Sequence, residues 1–114
     1  MKIKEAISKA DEIRPNALSD ETKARWVMEL NGRYAEMMST AAPANLWPSD
    51  ITLLMPYPHD NVYVLYLCAM IDNTNEETAL YANDMAVFNQ ADVEARQWWW
   101  RNYSQPVQPE LKGV

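Results

Sequence analysis

The sequence predicts an all-α domain of four helices, and three observations carry that prediction. Only two glycines occur in 114 residues, one of them at position 113. β-Hairpins that depend on left-handed turn residues are therefore disfavoured. Apolar residues recur three and four apart in separate segments, the spacing of a helix face. The seven prolines fall between or after those segments and not within them, at positions 15, 43, 48, 56, 58, 106 and 109, where a residue without an amide N–H does least damage.

The first helix is read from Ile3, Ala6, Ile7, Ala10 and Ile13, with Lys4, Glu5, Ser8, Lys9, Asp11 and Glu12 on the other side. Pro15-Asn16 stops it. Ser19 is placed as the N-cap of the second helix, before Asp20 and Glu21, whose charges suit a helix N-terminus. Its apolar face is Trp26, Val27, Leu30, Tyr34, Met37 and Met38, and its end is expected near Thr40. Gly32 inside it costs about 1 kcal/mol relative to alanine, which suggests close packing or a bend.

From Ala41 to Tyr57 the chain alternates prolines with Leu46, Trp47, Ile51, Leu53 and Leu54. The pattern predicts an ordered apolar loop between helices 2 and 3, with a short strand at Ile51 to Leu54. Pro56 and Pro58 form an elbow that sets the direction of the next helix. Val62 through Ile71 is apolar almost all round, as expected of a central helix. Thr74-Asn75-Glu76-Glu77 has the form of a capping box and marks a helix start or a sharp bend. The last helix shows Tyr81, Met85, Phe88, Ala95 and Trp99 on one stripe and is expected to run to about Tyr103. Residues 1–103 are thus one domain, and residues 104–114, with Pro106 and Pro109, an extended C-terminal tail.

A formal charge of −6 argues against a phosphate-tracking surface, so no specific nucleic-acid binding is expected. The single cysteine, Cys68, excludes an internal disulfide and fits a reducing cytoplasm. The N-terminus lacks an apolar h-region and no segment is of membrane-spanning length, so a soluble, unsecreted protein is expected. Five tryptophans and six tyrosines supply more aromatic surface than one small domain needs, which points to a partner.

No residue set stands out for catalysis, a cofactor or a metal. His59 and Asp60 are adjacent at a helix start and do not face one another, so Asp60 is read as a partner of the helix dipole. Cys68 is read as a core thiol and the methionines mostly as core filler. Glu76, Glu77, Asp84, Asp92 and Glu94 lack the Glu-x-x-Glu spacing of a metal-binding helix face and are read as solvated. Asn83 and Asn89 are open between a buried, register-fixing role and exposure. Trp98, Trp99 and Trp100 fan across about 200° of a helix, so one face cannot hide all three. Either the tail and a loop cover them or a partner molecule does; base stacking with Arg96 or Arg101 fits the acidic chain poorly.

Several segments share order and spacing with a known family. They are Asp11-Glu12-Ile13-Arg14-Pro15-Asn16, Lys23, Trp26 to Arg33, Leu53 to Tyr63, Ile71-Asp72 and Tyr81 to Asn89. Over residues 3 to 103 the chain resembles the small helical head-tail connector (adaptor, or head completion) proteins of tailed phages and prophages of Gram-positive bacteria. The proline elbow and the Tyr-x-Asn-x-Met-x-x-Phe-Asn segment carry the resemblance; loop 41–52 and the three tryptophans depart from the family pattern. The resemblance implies a non-enzymatic, cofactor-free virion protein in the neck, made in the host cytoplasm. Its implied partners are the portal protein, further copies of itself in a ring (dodecameric in the virion), and further connector or tail proteins. DNA would only pass through the channel. Contacts are expected through Trp47, Trp98, Trp100, Arg101 and Tyr103, with the tail reaching the portal. The alternative is a small phage-encoded regulatory or inhibitor protein acting as a monomer or dimer.

Overall fold

The computed structural model describes residues 1–104; the expected extended tail lies outside them, save its first residue. Four α-helices follow one another: α1 (Ile3–Ile13), α2 (Asp20–Met37), α3 (Val62–Thr74) and α4 (Thr78–Trp99), and α4 runs on into a π-helical turn, Trp100–Ser104. The all-α expectation holds among the described residues. No strand forms there. The segment read as one, Ile51 to Leu54, makes a single antiparallel bridge, Lys2 with Thr52. The bridge is flanked by two backbone bonds to the start of the chain, Ile3 N–H to the Ile51 carbonyl (3.0 Å) and Leu53 N–H to the Met1 carbonyl (2.9 Å).

Helix α3 is the centre of the domain and packs against each of the other three. Its all-round apolar sequence explains this, because Val62, Tyr63, Val64, Tyr66, Leu67, Cys68, Ala69 and Ile71 are all buried and need neighbours on every side. Helix α1 buries Ile3, Ala6, Ile7 and Ala10. Ile13, placed on the same stripe by spacing, is instead about half exposed, since ten residues from Ile3 the stripe has turned away by about 80°. Helix α4 is different in kind. It is 22 residues long yet buries only Asp84, Phe88 and Ala95; its backbone packs on α3, and α2 reaches it through Tyr34, whose hydroxyl meets Asp92 and whose ring lies under Arg96.

Ser19 caps α2 as expected, its hydroxyl accepting from Thr22 N–H at 3.2 Å. The helix stops at Met37, three residues before Thr40, because Ser39 turns into the left-handed region (φ 54°). The Thr74 capping box does not form. The Thr74 hydroxyl donates back to the Met70 carbonyl at 3.0 Å, Glu76 takes a positive φ of 60°, and α4 begins at Thr78 without a side-chain cap. The bend half of that expectation is what the chain realises.

Gly32 sits in an unbroken helix, and a β-carbon built on it meets nothing within 4 Å. Close packing therefore does not explain it. Gly32→Ala is expected to stabilise the fold by about 1 kcal/mol, raising the melting temperature by about 5 °C in a thermal scan.

Three buried polar clusters hold the helices in register. The Lys23 ammonium, 2% exposed, donates to Asp11 (2.8 Å) and Asn16 (3.2 Å) and lies 3.3 Å from Asp20, joining α1 to α2. Arg14, at the C-cap of α1, donates from Nε to Asp72 of α3 (3.1 Å) and from Nη2 to Asp84 of α4 (2.9 Å). Asn31 of α2 accepts through Oδ1 from Leu54 N–H and from the Tyr63 hydroxyl, both at 2.8 Å, while the Tyr63 oxygen accepts from Met55 N–H at 2.8 Å. That last cluster fastens the segment leading into the proline elbow to α2 and α3.

Candidate functional site: an aromatic surface at the end of α4

At the C-terminal end of α4 the chain leaves regular α-helical geometry. In an α-helix, residues five apart diverge by about 140°, so Trp98 and Tyr103 would point in different directions. The π turn replaces i→i+4 bonding with i→i+5 and brings them onto one side. Their ring centroids lie 5.4 Å apart at 68°. Asn102 secures the end by donating from Nδ2 to the Trp98 carbonyl at 2.7 Å.

The rings form one continuous series. His59, from the proline elbow, lies 5.0 Å from Trp98; Tyr103 touches Trp98 and, at 6.3 Å, Trp99; Trp99 meets Trp100 edge to face at 5.7 Å. These separations and tilts are those at which aromatic pairs attract beyond simple burial. Two segments forty residues apart in sequence thus share one surface. The sequence placed Trp98, Trp100 and Tyr103 there but did not join His59 to them.

The indoles divide as a helical fan requires. Trp98 and Trp99 are half-buried, whereas Trp100 is 50% and Tyr103 60% exposed. Arg101 is exposed on the same turn. A shallow strip continues from the rings along α4: Pro58, His59, Ala91 and Glu94 line one depression, and Val87, Gln90, Ala91 and Glu94 the next. Val87 and Tyr57 are both well exposed.

Trp47 stands apart. Its ring faces Lys4 Nζ at 5.9 Å and it lines a separate depression with Lys4, Ile7, Ser8, Asp11, Asp20 and Pro48. None of those residues belongs to the ring series. The structure therefore supplies two aromatic patches where the sequence suggested one set of contacts.

The groups considered for chemistry are engaged elsewhere. His59 is turned to Trp98, and Asp60 pairs with the Met1 ammonium at 3.2 Å, so the two do not form an acid-base pair. Burial pushes the Cys68 thiol up to about 11, away from the thiolate form that reacts. Asp84, expected on a solvated face, is buried instead, because it lies on the side of α4 that meets Arg14. Asp92 accepts the Tyr34 hydroxyl proton at 2.6 Å and an Arg96 bond at 3.1 Å; burial, and then Asp92, push the Tyr34 hydroxyl well above its ordinary range. Asn83 and Asn89 are exposed, so neither fixes register.

Among the described residues no group of three or more His, Cys, Asp or Glu is placed to hold a metal ion, and no helix there is long and apolar enough to cross a membrane. Comparison of the chain with protein-family models, with curated proteins and with solved structures finds no match.

Proposed function

We propose that this protein is a structural component of a phage virion, a head-tail connector that assembles as a ring beneath the portal and links the capsid to the tail. The observation that supports this reading best is the ring series from His59 through Trp98 to Tyr103. It is a continuous aromatic surface at the end of a helix that buries only Asp84, Phe88 and Ala95. Tryptophan and tyrosine are the residues most enriched where a few contacts dominate binding.

A closed ring needs a heterologous contact, in which one patch of each copy meets a different patch of the next. The aromatic end of α4 and the separate patch around Trp47 are two such surfaces. In this reading the proline-rich loop between α2 and α3 presents Trp47, and residues 104–114 reach the portal. The work is done by shape and apolar contact, with no bond made or broken.

Proteomics of purified particles tests the role. The protein is expected in virions at a copy number similar to that of the portal; absence from particles would return the reading to a small regulatory or inhibitor protein. Tyr103→Ala separates contact from folding. Because Tyr103 is largely exposed, the variant is expected to keep its helical fold while losing about tenfold or more in affinity for the portal, read by a binding titration.

A further inference from the structure

The outward side of α4 is nearly free of charge. Between Thr78 and Trp100 its exposed residues include a single charged one, Glu94, whereas α1 exposes Lys4, Glu5, Lys9 and Glu12, and α2 exposes Asp20, Glu21, Arg25, Glu29, Arg33 and Glu36. A helix face that meets water carries charges of that kind. Loss of charge with apolar and amide side chains retained is the composition found at the centre of a contact between proteins. Val87 and Val93, each nearly half exposed, stand on this side.

The exposed residues also have a period. Ala79, Asn83, Ala86, Gln90, Val93 and Gln97 follow one another at alternating steps of four and three, the heptad spacing that keeps one seam of a helix toward a second helix. Trp100 continues the seam and is half exposed. The pattern is its own complement. Counted outward from Gln90 in the two directions, Ala86 matches Val93, Asn83 matches Gln97 and Ala79 matches Trp100. Laid end for end against a second copy, the seam therefore sets small residues level with large ones, amide with amide, and Gln90 with itself. Ala86, Val87, Gln90, Ala91 and Glu94 line a depression at its middle, level with the Val93 of such a copy.

We infer that α4 pairs antiparallel with α4 of a second copy of this chain along the Ala79 to Gln97 seam, with Gln90 at the two-fold axis. Charge selects the antiparallel sense. It brings the Arg101 end of each helix beside the Glu76-Glu77 start of the other, all three residues being exposed, so opposite signs meet at both ends of the pair; a parallel arrangement would set like beside like. Ala79 and Ala86 let the two backbones come close, and the amides of the seam fix its register. Trp98 lies about 160° round the helix from Trp100, so the series of Trp98, Tyr103 and His59 stays outside the pair. The inference goes beyond the connector reading and does not depend on it.

The test uses the full chain by itself. Light scattering of the purified protein is expected to give about twice the chain mass of 13.2 kDa, and Val93→Glu, an exposed position, to halve it with the helical circular dichroism unchanged. The native Cys68 is buried, so introduced thiols can be read against a silent background. On mild oxidation Gln90→Cys is expected to form a disulfide with its own counterpart at the axis. Ala79→Cys is not, because its counterpart lies about 33 Å away along the pair. A monomeric mass for the parent chain would overturn the inference. So would a dimer in which position 90 does not cross-link, or one in which position 79 cross-links as readily as position 90, as a parallel pair would. No partner protein enters the experiment, so its failure leaves the connector reading where it stood, and absence from virions leaves this one.

Discussion

Arg14→Leu is expected to destabilise the protein by about 3–5 kcal/mol, a large part of the stability of a domain this size. Arg14 is the cation between two carboxylates that are almost fully covered, Asp72 at 2% and Asp84 at 9% exposure. Each carboxylate comes from a different helix, so the guanidinium holds α1, α3 and α4 together at one point. Its planar fork suits this task, since Nε serves one carboxylate while Nη2 serves the other. Leucine would fill part of the space but leave two buried negative charges facing one another. Chemical denaturation at neutral pH reads the loss as a lower midpoint with an unchanged slope.

The same cluster sets a pH dependence whose sign can be worked out. Burial and the neighbouring Asp84 carboxyl raise Asp72 to about 6, while Arg14 pulls in the opposite direction. The folded state therefore holds a proton that the unfolded chain, with an ordinary carboxyl near 3.8, has already released. Stability from this group is fully present below about pH 4 and is lost as pH rises through about 6. In Arg14→Leu the cation that bonds both members of the pair is gone, so its carboxyls favour the shared-proton state more strongly. Part of the variant's deficit should then be recovered between pH 7 and pH 5, measured as a smaller gap in melting temperature from the parent at the lower pH. An equal gap at both values would show that the pair is not what Arg14 holds.

Much of the fold was legible because it rests on local periodicity. The stripes of α1 and α2, the Ser19 cap and the all-round apolar character of α3 depend on residues within a few positions of each other, and a sequence displays these directly. The buried polar clusters were not legible. Arg14 and Asp84 are seventy residues apart, and nothing in a run of acidic residues along α4 says which one faces inward. Similarly, His59 meets Trp98 only because the elbow delivers α3 beside the end of α4, a tertiary event. The π turn was hidden for a third reason. Its effect is to move Tyr103 back over Trp98, whereas any reading at a constant 100° per residue separates the two. The sequence showed which residues are rich in contact surface; only the folded chain shows that they converge.

Asn31→Ala is the second large effect expected, at about 3 kcal/mol, with the melting temperature falling by about 15 °C. Asn31 is wholly buried and its Oδ1 is the common acceptor for the Leu54 amide and the Tyr63 hydroxyl. Removing it strands one backbone donor and, in part, a hydroxyl that burial pushes well above its ordinary range, and adds a cavity in the core. The Tyr63 oxygen still receives the Met55 amide, so the damage falls first on the chain around Leu54. That segment leads into Pro56 and Pro58, which carry His59 to the rings. A side chain in the middle of α2 thereby holds the elbow half of the aromatic surface in place. Asn31→Asp separates the two roles of the residue: it keeps both acceptor bonds but buries a carboxyl where the amide Nδ2 now has no bonded partner. The aspartate variant should approach the parent in stability at acid pH, where the carboxyl is neutral, and fall toward the alanine variant as pH rises. If both variants melt within about 1 kcal/mol of the parent at neutral pH, the Leu54 and Tyr63 bonds to Asn31 do not anchor the elbow, and the aromatic surface must be held by the rings alone.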